Sequence, residues 1–115
     1  MVKFRIAVAT DANRGLDDVV SNVFGRAKTF TLVDVDYENI INVRVLENPA
    51  LSYSHGAGPI AIKTLIDEGV RVVIASELGI GASEILNNHN VTYIPAKPGT
   101  NVREAVTKVL TVHKK

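Results

Sequence analysis

Two glycine runs in this chain can leave backbone donors open: His55-Gly56-Ala57-Gly58 and Gly79-Ile80-Gly81-Ala82. Each stands before a segment of helical spacing. The first N–H groups of a helix have no partner inside it, and with the positive end of the helix dipole they favour an anion. His55 adds an imidazole, a ligand for soft and borderline metals. Arg26, behind Phe24-Gly25, brings a planar fork of five donors that suits an anion. His55, Gly56, Gly58, Gly79 and Gly81 are therefore the candidate ligand contacts, with His55 the candidate metal ligand, while Arg26 taken by itself reads as an exposed surface charge. Each also has a plainer reading: a tight βα turn, an exposed loop histidine, a surface charge. The other histidines stand apart. His89 closes a helix, where an imidazolium suits the dipole, and His113 lies in a basic tail with Lys114 and Lys115.

The elements that must position these residues follow from hydrophobic spacing. Lys3–Thr10 reads as a strand whose continuous apolar end, Ile6–Ala9, points to a central position covered on both faces. Arg14–Ala27 has no clear period and reads as a functional loop with one helical turn, in which Asp17-Asp18 are first-turn residues. Thr29–Asp36 and Ile40–Glu47, rich in β-branched residues, form a hairpin that Asn48-Pro49 stops. Pro59 is expected as the first helical residue after Gly58, with Ile62, Leu65 and Ile66 on one face and Gly69 as the stop. Arg71–Ala75 and Val91–Pro95 are short strands flanking a second helix through Ala82, Ile85, Leu86 and His89. Thr100 or Asn101 caps a last helix carrying Val102, Ala105, Val106, Val109 and Leu110.

The element order is thus β, loop, β, β, α, β, α, β, α. With right-handed crossovers, the simplest sheet has order 3-2-1-4-5 with only strand 2 antiparallel. That is the ribonuclease-H-like three-layer α/β arrangement. Its parallel strands open along one edge, which gathers Thr10–Asn13, Asn48–Gly58, Ser76–Gly81 and Ala96–Thr100, and ligands in open α/β sheets bind at such an edge.

Composition narrows the chemistry. At 115 residues the chain is sized for a single domain, 1–115, and 46% hydrophobic with 22% charged residues is the mixture of a globular protein. Aromatics make up 5%, so Val, Ile, Leu and Ala must fill the core. Thirteen basic against twelve acidic residues leave a net charge of +1, too balanced for an electrostatic grip on nucleic acid. Cysteine is absent, which removes disulfides, thiolate catalysis, zinc–thiolate sites and conventional iron–sulfur ligation together. No apolar run approaches a membrane span or a signal core, so a cytoplasmic protein without membrane contact is expected.

Catalytic readings fail on inventory. A two-metal nuclease wants a carboxylate within the first strand, and Lys3–Thr10 has none; Asp11 and Glu77 only flank the edge. Gly81-Ala82-Ser83-Glu84-Ile85 is not a nucleophile elbow. Gly79-Ile80-Gly81 is half a dinucleotide fingerprint, but Glu84 stands where the third glycine would fall and no Walker lysine follows. Binding without catalysis is the expectation.

Several segments together resemble the dinitrogenase iron–molybdenum cofactor biosynthesis family, the NifX/NafY-like group also found as the C-terminal part of NifB proteins. They are Ser21–Ala27 (SNVFGRA), Phe30, Glu47-Asn48-Pro49, His55–Gly58, Gly69-Val70, Gly79–Ala82 and the closing Val102–Leu110 helix. The resemblance runs over nearly the whole chain and is carried most by Phe-Gly-Arg-Ala and Glu-Asn-Pro. It implies a ribonuclease-H-like fold and a small carrier or storage protein for a metal–sulfur cluster of iron–sulfur or iron–molybdenum type, with Arg26 of the Phe-Gly-Arg-Ala segment joining the candidate contacts. Cluster donor and acceptor proteins would be its partners. Two positions depart from the pattern: Val23 where many members have histidine, and Gly81 where many have asparagine. A small-anion or nucleotide-phosphate binder at the same helix ends is the alternative, and a divergent nuclease using Asp11 and Glu77 comes third.

Overall fold

Strand β1 (Lys3–Thr10) occupies the middle of a five-stranded sheet, and its sequence requires that place: Ile6, Ala7, Val8 and Ala9 are all fully buried. A run apolar on both faces is stable only when layers cover it from both sides. The computed structural model describes residues 3–113. Around β1 the order is β3-β2-β1-β4-β5, with β2 (Thr29–Asp36), β3 (Asn39–Glu47), β4 (Val72–Ala75) and β5 (Thr92–Pro95). β2 runs antiparallel to both neighbours, while β4 and β5 run parallel to β1. This is the expected topology.

The period of two divides the core. Ala7 and Ala9 join Phe30, Leu32, Val73 and Ala75 under helices α1 (Ala57–Asp67) and α2 (Ile80–Asn88). Ile6 and Val8 join Val33, Val35, Val72 and Ile74 under helix α3 (Val102–His113), whose stripe of Val102, Ala105, Val106, Val109 and Leu110 is buried as its spacing predicts. Phe30, wholly buried and 5.4 Å from the Phe24 ring, anchors the α1/α2 side. Burying one such side chain contributes about 1.5–3 kcal/mol.

Several boundaries move. β4 begins at Val72 and β5 at Thr92, one residue later than expected, and α2 begins at Ile80. α1 begins at Ala57, so Pro59 is its third residue and not its first. Proline still fits there, because the third N–H of a helix also lacks an intrahelical partner. The residue that turns the chain into α1 is Gly56, at φ 74° and ψ 22°, a left-handed conformation that a side chain disfavours. α3 is capped by Asn101, whose side chain accepts from the Glu104 N–H at 3.1 Å. His113 is the last residue of α3; the basic pair Lys114 and Lys115 lies outside the described residues.

Arg14–Ala27 is a loop, as read, with a single 3-10 turn at Gly15–Asp17. Asp18 departs from expectation. It is not a first-turn helix residue but a fully buried carboxylate just beyond that turn. It accepts from the N–H groups of Val19 at 2.8 Å and Ala12 at 3.0 Å, and pairs with Arg14 at 3.4 Å. A carboxylate leaves water only when several donors replace its hydration, and here the loop's own backbone supplies them.

Candidate functional site

The C-terminal ends of β1, β3, β4 and β5 lie along one edge of the sheet, and every candidate residue lies on a segment that follows from there or packs against one. The chain leaving β3 is shaped by Asn48, which is 4% exposed. Its amide nitrogen donates to the carbonyls of Ala27 at 2.8 Å and Gly25 at 2.9 Å, and its oxygen accepts from Ala50 N–H at 2.9 Å. That last bond caps a 3-10 turn, Pro49–Ser52, where an unstructured loop was expected. From the turn the chain runs through Tyr53, Ser54 and His55 into α1, all three exposed.

Arg26 and the His55 loop meet. The Arg26 guanidinium donates from Nη2 to the Ser54 carbonyl at 3.1 Å, directly before His55. It makes no ion pair among the described residues, so most of its donors are free for a ligand. Gly25 meets the start of α1: a Cβ on it would stand 2.8 Å from the Gly58 nitrogen and 3.2 Å from the Ala57 carbonyl carbon. The segment Phe24–Ala27 is therefore seated on the first turn of α1. Two Gly-to-backbone surfaces in contact explain why glycine is required at 25. Gly25 thus crowds one side of the α1 start, while a Cβ on Gly58 itself would meet nothing within 4 Å.

The α2 start is different. Gly79 and Gly81 are exposed, and a Cβ on either would meet nothing within 4 Å. The first intrahelical bond there runs from Ser83 N–H to Gly79 carbonyl, so the N–H groups of Ile80, Gly81 and Ala82 precede the helical ladder. Just before this loop, Ser76 has a buried hydroxyl with no partner. Tyr93 donates to Ala75 carbonyl at 3.2 Å, and burial, with Glu77 adding to it, pushes its phenol above the usual range. Ala57 of the α1 start and Ala82 of the α2 start belong to one apolar cluster, so the two starts are on one side of the sheet.

Two features were missed in the sequence. Asn48 was read only as a strand stop beside Pro49, and a buried asparagine bonded to carbonyls 21 and 23 positions away leaves no trace in spacing. Val23, Leu51 and Tyr53, at 38%, 45% and 51% exposure, are large apolar side chains left on the segments that bear Arg26 and His55. Beneath the edge, Thr10 bonds the hydroxyls of Thr29 at 2.6 Å and Thr31 at 3.1 Å, and the Thr29 hydroxyl donates to Ala12 carbonyl. These buried hydroxyls fasten the end of β1 to β2. His89 lies away from the edge at the end of α2, its Nδ1 2.9 Å from Ile85 carbonyl.

The opposite end of the sheet holds the contrasting charges. Arg5 pairs with Asp34 at 2.6 Å, and Arg44 pairs with Glu68 at 2.6 Å beside them. The Arg5 hydrogen bond holds the Asp34 carboxyl below the usual carboxylate range, against the opposing effect of burial. Asp34 in turn raises Arg5. A hollow of about 350 Å³ runs along these residues, and Lys3 lines it as well. At the other edge the Arg26 guanidinium makes no ion pair among the described residues.

The Nitro_FeMo-Co family model, dinitrogenase iron–molybdenum cofactor, matches residues 3–112. The chain belongs to this family. Among solved structures, the apo form of the orange protein from Desulfovibrio gigas superposes with a TM-score of 0.85 at 31% identity, covering 94% of this chain and 88% of that one. A Thermotoga protein provisionally named NifB gives a TM-score of 0.72 at 32% identity over 96% of this chain and 90% of that one. An uncharacterised Methanocaldococcus jannaschii protein is 26% identical over 102 residues, 89% of this chain and 81% of its own. The five-stranded mixed sheet of this chain matches the fold of these solved structures.

Proposed function

We propose that the chain is a non-catalytic carrier, acting as one domain, that takes up an anionic metal–sulfur cluster at the Arg26–His55 edge and passes it between a donor and an acceptor protein. The observation that supports this most is an unpaired arginine held against the His55 loop, on the side of the sheet where the α2 amides are open. A metal–sulfide anion is bulky and diffusely charged, so guanidinium and amide donors suit its sulfides, and an imidazole suits one open metal position. With no cysteine in the chain, the cluster keeps its own sulfides throughout. Membership of the cofactor family, and a relative solved in an apo form, agree with a protein that takes up a group.

Anaerobic incubation with a preassembled iron–molybdenum–sulfide cluster, followed by gel filtration, tests the reading. Metal, sulfide and a visible absorption band should elute with the protein and decline in Arg26→Ala and His55→Ala. Elution of protein free of metal would remove the carrier role, and unchanged binding by His55→Ala would remove that ligand. The open amides of α2 also fit a phosphate. In that case phosphorylated ligands raise the melting temperature, clusters do not, and Arg26 and His55 are dispensable. The nuclease reading finds no support, because no group of three His, Cys, Asp or Glu among the described residues can hold a metal ion.

A further inference from the structure

Resting on the carrier reading, we propose that Asn48 is the positioning residue of the site, one buried amide that sets both the arginine and the turn leading to the histidine. Its two N–H bonds go to the carbonyls of residues 25 and 27, on either side of Arg26. Holding both neighbours fixes the backbone of Arg26 between them, and with it the direction in which the guanidinium leaves the chain. The oxygen of the same amide holds Ala50 N–H and so begins the turn toward Ser54 and His55. Arg26 closes the circuit by donating to Ser54 carbonyl. The path is cyclic: Asn48 to the Arg26 segment, Arg26 to Ser54, and back through the turn to Ala50 and Asn48.

Asparagine is the side chain this circuit requires. It presents two donors and an acceptor in one plane on a short stem. Aspartate keeps the acceptor but turns an oxygen toward two carbonyls, and serine has one donor for two of them. The position is 4% exposed, so water cannot replace a lost bond there. Gly25 confines the same segment from its other side, against the Gly58 backbone. Asn48 touches no ligand in this account; it acts through Arg26 and the turn.

The test is a double-mutant cycle with tetrathiomolybdate as the probe, measured by anaerobic equilibrium dialysis. Arg26→Ala should weaken binding about tenfold, the loss of charge-assisted bonds, and Asn48→Ala at least about fivefold. The double variant should lose less than the product of the two single losses, because with Arg26 gone only the turn toward His55 is left for Asn48 to position. Wild-type affinity in Asn48→Ala, or losses that multiply in the double variant, would overturn the proposal. Amide hydrogen exchange of the ligand-free protein reads the circuit without a probe. The N–H of Ala27, bonded to Phe24 carbonyl, and that of Tyr53, bonded to Ala50 carbonyl, report the two arms. Asn48→Ala should quicken both, whereas Asn48→Asp, which keeps the acceptor, should quicken Ala27 alone. Unchanged exchange in both variants would reject the positioning role. If the wild-type protein ignores tetrathiomolybdate while exchange behaves as expected, the carrier reading fails and the positioning of Arg26 stands.

Discussion

Helices α1 and α2 begin alike in sequence, each behind a glycine run at the same edge of the sheet, yet their starts serve different ends. The α1 start has a neighbour: Gly25 lies against its first backbone atoms, Gly56 bends left-handed to enter it, and Asn48 anchors the segment beside it. The α2 start is bare, with free space beside Gly79 and Gly81. Gly25, on the segment beside α1, lets a backbone come close, whereas Gly58, Gly79 and Gly81 in the two runs all face free space. The first kind builds a wall and the second leaves room. A ligand at this edge then has the α1 side as a rigid support carrying Arg26 and His55, and the α2 side as a set of unpaired amides.

Substitution should separate the two. Gly25→Ala drives a Cβ into the Gly58 backbone, which cannot move aside as a flexible side chain would, and should cost about 2 kcal/mol. Thermal melting should show a fall of about 10 °C for a domain of this size. Wild-type stability in this variant would mean that Gly25 is not seated against the α1 backbone. Gly56→Ala asks an L-residue to hold φ 74° and should cost about 1 kcal/mol by urea titration.

Gly81→Ala should have the opposite sign. Its Cβ enters open space in a helix, so the variant gains about 0.5 kcal/mol while losing cluster affinity to the added methyl. A loss of stability there would make the two starts equivalent.

The smallest effect belongs to the paired charges at the far end. Asp34 titrates below its unfolded value, so its contribution is complete above the ordinary carboxylate range and is lost as the pH falls through the lowered folded value. Asp34→Asn should cost a few tenths of a kcal/mol near neutrality, because the pair is partly exposed, and should flatten the acid limb of a stability–pH curve. Cluster affinity should not change. A change would move the binding site to the Arg5 hollow.

How much of this was legible in the residues follows from range. The strands were, because burial on one or two faces writes itself into alternate positions; Lys3–Thr10 and Thr29–Asp36 fall where their patterns end. The sheet order followed from connection lengths. Arg26 and His55 were recognisable as chemistry, but their meeting through Ser54 depends on a contact across 28 positions of sequence. Asp18 was misjudged, and at Asn48 the strand stop was legible but the burial was not. A polar side chain buried by backbone bonds carries the same letter as one capping a helix or ending a strand. The approach of Gly25 to α1 was equally hidden, since Gly25 reads as an ordinary loop glycine until the helix beside it is in place.

The central claim is that the Arg26 edge, and not the Arg5 hollow, receives a metal–sulfide anion. Amide and arginine side-chain NMR shifts during an anaerobic titration with tetrathiomolybdate test it most directly. Saturable shifts at the N–H groups of Ile80, Gly81 and Ala82, the Arg26 guanidinium and the His55 ring, with Arg5 and Asp34 unmoved, are the predicted result. Shifts centred on Arg5, Asp34 and Glu68, or no saturable shift at all, would contradict it.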